Sequence, residues 1–524
     1  MCPKKSQDQS LPRQFEFQAR KLNSRGQALG LAPNGKEVFV DGLVPGERAL
    51  VQLVEEKRTY ARARVLERTA TAAERREPAC PYFPQCGGCS LQHLDYQAQL
   101  QHKQQQLRYC LHSIGRFSYE ELDSSQVFDR ALASPQELRY RSKSQMPLAC
   151  QDGQPPRIGF YRTGSQEIVD GSSCLIQDLA ADQARLAFRQ TWAEAQSKLP
   201  REARKAGFWR HLLVRVSQAE RRALVSLVIR KKISYEPTAL LPFLSQYRRR
   251  LKSCLAERQC QLGGLYLNFQ PEANNRIHSW DFLDLGPSLD RLEAVDQRAK
   301  DPQDADALEP ALPKPRLTLQ KTGQRRPEAS ITEVVNGIRY PLGPASFFQI
   351  NVPQTAEIYR QIRNWVQELG AKVIYDLYCG AGSISLQLAQ DGLEVYGIEI
   401  VQEAVHKAQE AARLNGLEAQ CQFAAGAAEN LVPQLVQAGV WPLPDCLVVD
   451  PPRKGLDAQL SQFIATELQP AKVIYLSCDP ASLARDLALL RDRGGYQLRR
   501  FIAYDLFPQT MHVETVCLMT RGKD

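Results

Sequence analysis

From residue 331 to the carboxyl end, short apolar runs alternate with Ala- and Leu-rich stretches of helical character, and no other feature narrows the fold as far. The runs are VIYDLY (373–378), VYGIEI (395–400), CLVVD (446–450) and VIYLS (473–477). Strands separated by helical segments pair in parallel with the helices packed on both faces, so the pattern predicts a largely parallel, Rossmann-like sheet. Two antiparallel strands, near 497–505 and 513–520, are expected to finish it. Sheets of this kind meet their ligands at the carboxyl ends of the strands, which directs attention to the residues that follow each run.

A chain of 524 residues exceeds what one core supports, so further modules are expected ahead of this one. Residues 13–70 read as a small β-barrel of OB type, with strands over Glu16–Leu22, Glu37–Val40, Arg48–Glu55 and Arg62–Leu66 and turns at Asn34-Gly35 and Asp41-Gly42. The segment GKEVFVDGLVPGERALVQLVEEKRTYARARVLE resembles a TRAM domain, an RNA-binding barrel. Its Lys57, Arg58, Tyr60, Arg62 and Arg64 interleave charge with an aromatic ring, as contacts to phosphates and bases require. Residues 78–292 predict a mixed α/β central domain, with strands at 159–162, 212–217, 223–229 and 264–269 and Arg-rich segments at 139–143, 209–211 and 247–252. Residues 293–330 combine Pro, charge and small side chains without periodicity and read as a flexible insertion or linker. The module from 331 to 524 closes the series, and no internal repeat is visible.

Hydrophobic residues at 43% and charged residues at 24% suit a folded chain, and Lys plus Arg exceed Asp plus Glu by 67 − 58 = 9, a balance that attracts polyanions. The start, MCPKKSQDQSLPRQFEF, has no apolar stretch behind its lysines, and no run of about 18 apolar residues occurs. A cytoplasmic protein without a membrane segment is therefore expected, and its 14 cysteines point to reduced thiols serving metal binding or catalysis.

Three constellations follow the strands. In DLYCGAGSISLQLA (376–389), Gly380 and Gly382 permit a tight turn and close backbone approach to a ligand before a helix begins. Glu399 closes the next strand, where an acidic side chain suits ribose hydroxyls. The loop does not complete the GxGxxG of dinucleotide binders, so S-adenosylmethionine, which has no pyrophosphate, fits better. In VVDPPRKGL (448–456), two prolines hold Asp450 at a rigid strand tip. In YLSCDPASLARDL (475–487), Cys478 lies between a strand and a helix whose positive end is expected to lower its thiol pKa, and Glu514, with His512 nearby, follows in LFPQTMHVETV (506–516).

Together with CPYFPQCGGCSLQHL and SFFQIN (346–351), these motifs resemble the RNA 5-methyluridine methyltransferase family, most closely the bacterial 23S rRNA (uracil-5-)-methyltransferases that carry a TRAM domain and an iron–sulfur cluster. The resemblance covers nearly the whole chain apart from 293–330 and implies a class I methyltransferase fold at the carboxyl end. It implies that Cys478 adds to carbon 6 of uracil and that Glu514 removes the carbon 5 proton from the methylated adduct. It places Gln349 and Asp450 near the cofactor methyl and the uracil edge, and Tyr378, Ser383 and Glu399, with Gly380, along the cofactor pocket. A target base in paired or stacked RNA would be flipped out. A monomer acting on 23S ribosomal RNA is expected, with transfer RNA as the rival substrate and a nonenzymatic assembly factor as the rival class. One departure from the family is Ala427, where an acidic residue near the adenine is frequent.

Cys80-x5-Cys86-x2-Cys89 puts three thiols in one loop, with Cys174 available as a fourth, and spacing alone leaves zinc and [4Fe–4S] open. The resemblance favours [4Fe–4S] in a structural or RNA-orienting role. The spacing is not the Cys-x3-Cys-x2-Cys of radical enzymes, which speaks against reductive cofactor cleavage. Cys379 and Cys446 read as core residues.

Overall fold

The computed structural model describes residues 11–232, 234–272, 276–290 and 331–522, so the expected insertion at 293–330 lies outside the described residues. The chain forms two compact bodies, one of residues up to Ser134 together with those from Leu447 onward, the other from Pro135 to Cys446.

The first body opens with β1 (Gln14–Gln18), β2 (Lys21–Leu22), β3 (Ala28–Leu31), β4 (Glu37–Val40), β5 (Arg48–Glu56) and β6 (Tyr60–Ala70) in one sheet of order β1-β5-β6-β4-β3-β2. Alternation drives it: Phe15 and Phe17 of β1 turn inward between exposed Gln14, Glu16 and Gln18, onto a core that includes Val38, Val40, Leu43 and Val51. The sheet holds six strands where four ranges were expected, because the range Glu16–Leu22 is divided between β1 and β2 and β3 is additional. Its Gly30 is compulsory, because a Cβ there would lie 2.2 Å from the Gln18 carbonyl oxygen. Buried Glu47 accepts from Arg75 at 2.5 Å and from the Val44 amide at 2.9 Å, tying the sheet to the cysteine-bearing loop that follows. Two helices succeed that loop. Asp95 caps α1 (Tyr96–Ser113), and a reciprocal Ser118/Glu121 capping box opens α2 (Tyr119–Ser125).

The second body begins with β7 (Lys143–Ala149), β8 (Arg157–Tyr161), β9 (Ile168–Asp170) and α3 (Leu179–Ala195). It continues through β10 (Trp209–Ser217), β11 (Arg222–Ile229), α4 (Leu241–Ala256), β12 (Gln261–Phe269) and β13 (Phe282–Asp284). Their sheet runs β13-β12-β11-β10-β7-β8-β9, with only β11 and β12 parallel, and α3 and α4 cover it through Phe188 and Phe243 packed on Trp209, with Trp192 and Tyr247 against Phe188. A hairpin of β14 (Ile331–Val335) and β15 (Ile338–Leu342) turns at Asn336-Gly337, both with positive φ as a two-residue loop demands. Then α5 (Val352–Glu368), β16 (Val373–Leu377), α6 (Ser383–Ala389), β17 (Glu394–Glu399), α7 (Gln402–Asn415), β18 (Cys421–Ala425) and α8 (Ala428–Gln437) realise the expected alternation, with β16, β17 and β18 pairing in parallel.

The chain returns to the first body in β19 (Cys446–Val449), α9 (Ala458–Phe463), β20 (Lys472–Ser477), α10 (Pro480–Gly494), β21 (Tyr496–Tyr504) and β22 (Glu514–Arg521). These strands lie in the order β19-β20-β22-β21, and β22 is antiparallel to both neighbours, at the two places where antiparallel strands were expected. No helix among the described residues is long and apolar enough to cross a membrane.

Candidate active site

The strand tips of the first body gather Cys478, Glu514 and Asp450. The β20–β22 ladder steps from Lys472 opposite Thr520 to Ser477 opposite Thr515, so one further step sets Cys478 against Glu514 where the ladder ends. Directly opposed positions bring side chains to within contact of each other. Glu514 is only 5% exposed and also faces Tyr504 on β21. Asp450 leaves β19, and the loop after it is fastened by Asp486 of α10, which accepts from the Leu456 amide at 2.8 Å and the Tyr475 hydroxyl at 2.6 Å. Gly455, at φ +81°, leaves room for this: a Cβ there would stand 2.4 Å from the Asp486 carboxylate.

Charge and burial set the chemistry of the cluster. Burial, with Glu514 and Asp450 adding to it and Arg453 opposing, pushes the Cys478 thiol up to about 11. The expectation of a lowered thiol is therefore corrected. Asp479 takes the first-turn amides of α10, accepting from Ala481 at 3.1 Å and Ser482 at 2.9 Å, so the helix end serves the cap and not the sulfur. Burial raises the Glu514 carboxyl well above its ordinary range, with Asp450 adding repulsion, and burial lifts Asp450 to about 6. Acidic groups this close do not all ionise together, so a proton is retained in the cluster and can move within it. Arg453, three residues after the aspartate in DPPRKG, joins the cluster and acts on both Cys478 and Glu514, and that spacing is its signal in the sequence.

The second body carries the glycine loop. Tyr378 turns out of β16 at φ +65°, and Gly380 and Gly382 follow at +57° and +73°. The two glycines differ in purpose. A Cβ on Gly380 would meet nothing within 4 Å, so that backbone borders open space, whereas one on Gly382 would stand 3.0 Å from Ala408 and 3.1 Å from Phe423. Gly382 thus serves packing and Gly380 leaves the approach a ligand needs. Glu399 accepts from the amides of Gly380 at 3.2 Å and Val401 at 2.8 Å, binding the loop to the end of β17. Ser383 is oriented by two tyrosines, whose hydroxyls donate to its Oγ (Tyr359, 2.9 Å) and carbonyl (Tyr340, 2.8 Å). Open backbone, a carboxylate and a fixed hydroxyl suit a nucleoside bearing an amino acid chain. Ile400, beside Glu399, is an apolar side chain left 67% exposed.

Gln349 is half-buried in SFFQIN, a stretch pinned where the Ile350 carbonyl accepts from the Ser142 amide at 2.8 Å and Asn351 caps α5. Ala427 stands at the N-cap of α8 and supplies no capping side chain. Cys379 and Cys446 are buried, as core residues should be.

Of the four thiols implied as cluster ligands, Cys80, Cys86 and Cys89 belong to the first body and Cys174 to the second. Burial and the neighbouring Cys80 raise the Cys86 thiol, toward which the Gly88 amide donates, and burial raises Cys174, served by the amides of Ile176 and Gln177. Sulfurs met by backbone N–H groups have the donor chemistry of a thiolate-ligated centre. Among the described residues, however, no three His, Cys, Asp or Glu side chains are arranged to hold a metal ion.

A glycine loop leading into a helix, with a carboxylate closing the next parallel strand, is the architecture of a class I S-adenosylmethionine-dependent methyltransferase. The crystal structure of Pyrococcus abyssi tRNA (uracil-54, C5)-methyltransferase in complex with S-adenosyl-L-homocysteine shares the fold at a TM-score of 0.67 and 20% identity, over 97% of this chain and 100% of that one. The family described as tRNA (Uracil-5-)-methyltransferase matches residues 334–522. An uncharacterized RNA methyltransferase of Listeria innocua is 31% identical over 505 residues, 96% of this chain and 97% of its own length. Another from Halalkalibacterium halodurans is 32% identical over 486 residues, 93% of this chain and 92% of its own length. The chain belongs to the RNA (uracil-5-)-methyltransferase family.

Proposed function

We propose that the chain methylates carbon 5 of a uridine in 23S ribosomal RNA through a covalent bond between Cys478 and carbon 6 of the base. The observation that carries this reading is the meeting of Cys478 and Glu514 at the end of one antiparallel ladder, beside Asp450. S-adenosylmethionine supplies a methyl group made electrophilic by its sulfonium. Gly380, Ser383, Glu399 and Tyr378 would hold it, and Gln349 would bind near its methyl.

Asp450, whose carboxyl sits at about 6, is the natural recipient of the thiol proton. The Cys478 sulfur adds to carbon 6, the carbon 5–carbon 6 π pair passes into an enolate, and carbon 5 would take the methyl group as the methyl–sulfonium bond breaks, its electron pair staying on sulfur to leave a neutral thioether. Glu514, raised by burial, then accepts the remaining carbon 5 proton. The electrons of that C–H bond re-form the double bond as the C–S bond breaks, and the departing thiolate regains the proton held on Asp450.

Glu514→Gln leaves the nucleophile intact and removes the base, so it is expected to accumulate a methylated enzyme–RNA adduct on a denaturing gel; wild-type turnover without an adduct would refute the assignment. Cys478→Ala should form neither adduct nor 5-methyluridine. Mapping 5-methyluridine in ribosomal and transfer RNA from a deletion strain tests the substrate: loss in transfer RNA alone replaces 23S ribosomal RNA in this reading. The three thiols of one loop, Cys80, Cys86 and Cys89, with Cys174 as the fourth that the family resemblance implies, are the residues that would hold a [4Fe–4S] centre, with no step of the reaction routed through it. Iron and sulfide assayed in anaerobically purified protein test it, and stoichiometric zinc would overturn it.

A further inference from the structure

Helix α1 buries polar side chains where an amphipathic helix would bury apolar ones. Gln99 (1% exposed), Lys103 (0%) and Gln104 (2%) share its inner stripe with Leu100, Leu107 and Leu111. Burying amides and an ammonium is costly unless each is bonded, and an apolar stripe would pack as well. What polar groups add is direction: Gln104 donates to the Phe128 carbonyl at 3.1 Å, while Gln99 and Lys103 converge on one segment, Asp505–Val513, which links β21 to β22 and delivers Glu514.

The bonds are specific. Lys103 Nζ donates to Asp505 at 2.5 Å and to the Phe507 carbonyl at 3.2 Å, both partners of the pair being fully buried. Gln99 Oε1 accepts from the Gln509 amide at 3.2 Å, while its Nε2 donates to Gln509 Oε1 at 3.1 Å. The same Nε2 reaches the carbonyls of Leu91 (3.1 Å) and Leu94 (2.9 Å), at the end of the cysteine loop. That loop binds the segment directly as well. The amides of Ser90 and Leu91 both donate to the Gln509 carbonyl at 3.0 Å, and Ser90 Oγ accepts from the Met511 amide at 3.2 Å. Gln509 needs such restraint, because its φ of +68° is one that a side-chain-bearing residue seldom adopts. The N-terminal sheet joins in: a Cβ on Gly26 would stand 3.1 Å from Ser90 and 3.3 Å from Met511.

We propose that Gln99 and Ser90 are positioning residues for proton abstraction, fixing residues 509–511 so that Glu514 faces the carbon 5 proton of the adduct, and that they thereby link the cysteine loop and the N-terminal sheet to this one step. The proposal rests on Glu514 being the general base. It sets these residues apart from those that bind RNA or cofactor, since they act after the methyl group has been transferred. Displacing a reacting group by about 1 Å costs on the order of 100-fold in rate. Losing the single Ser90 hydrogen bond, at about 1 kcal/mol, costs roughly 5-fold.

The test uses full-length protein and an RNA transcript that the wild-type chain methylates, labelled as [5-3H]uridine, with methyl transfer and tritium release followed in the same single-turnover reaction. Gln99→Ala and Ser90→Ala are expected to transfer methyl at the wild-type rate while tritium release slows, roughly 10-fold to 100-fold for Gln99→Ala and 2-fold to 5-fold for Ser90→Ala, with adduct accumulating. A partly unfolded preparation lowers both signals in proportion and leaves their ratio at the wild-type value, so the ratio reads positioning and not the folded fraction. Slowing of the two signals in parallel, or an unchanged ratio in both variants, overturns the proposal while Glu514→Gln still traps adduct. If Glu514→Gln itself releases tritium at the wild-type rate, the base assignment fails and this inference falls with it.

Discussion

Removing the charge of Asp450 tests the electrostatics of the site independently of catalysis. Burial lifts this carboxyl from 3.8 to about 6, so the folded chain holds the Asp450 proton more tightly than the unfolded chain does. The sign follows from linkage. The folded state is favoured while the group is protonated, and stability is lost as pH rises from the unfolded value to the folded one, the loss persisting above about pH 6. The separation, 6 − 3.8, corresponds at most to about 3 kcal/mol. Asp450 is only half-buried and shares its proton with Glu514, so about 1 to 3 kcal/mol is expected. Asp450→Asn keeps the shape and abolishes the titration. In urea melts the variant should match wild type near pH 4 and exceed it by that amount near pH 8, although its turnover falls because the thiol proton loses its recipient. Equal stability at both pH values, or a variant less stable at the higher one, would show that the Asp450 carboxyl is not held against its charge and would remove the basis for a mobile proton in the cluster.

Two further outcomes concern the cofactor side. Gly382→Ala forces a Cβ against Ala408 and Phe423 at φ +73° and should cost about 1 to 3 kcal/mol in thermal melts. Gly370→Ala, at φ +61° with open space around it, should cost only about 1 kcal/mol, and equal losses would refute the packing role given to Gly382. Ala427→Asp supplies the capping side chain that α8 lacks and should raise stability by about 1 kcal/mol; an unchanged melting temperature in the absence of cofactor would refute it.

The carboxyl-terminal strands and the residues at their tips could be read from the sequence because the determinants are local. An apolar run marks its own strand, and DPP, SCDP and HVET each stand at the end of one. Strand β3 escaped notice because four residues, ALGL, carry little alternation and its glycine is demanded by a carbonyl on another strand. The protonation of Cys478 was misjudged for a related reason. The helix start that suggested a lowered thiol lies beside it in sequence, whereas the opposing carboxylates lie 28 residues before it and 36 after, and burial is tertiary altogether.

Helix α1 is the extreme case. YQAQLQHKQQQLRYCLHS has so many glutamines that its inward stripe resembles a solvated face, and nothing near Lys103 in the chain announces Asp505, 402 positions away. The pair is intelligible only once both ends are folded. Each charge is then the reason the other can be buried, with burial pressing the ammonium down and the carboxyl up and their contact opposing both. Leucine at those positions would pack the helix without fixing where the backbone of 505–513 lies. On the proposal that Glu514 is the general base, the segment that presents its carboxylate needs that placement more than it needs the stability an apolar stripe would add.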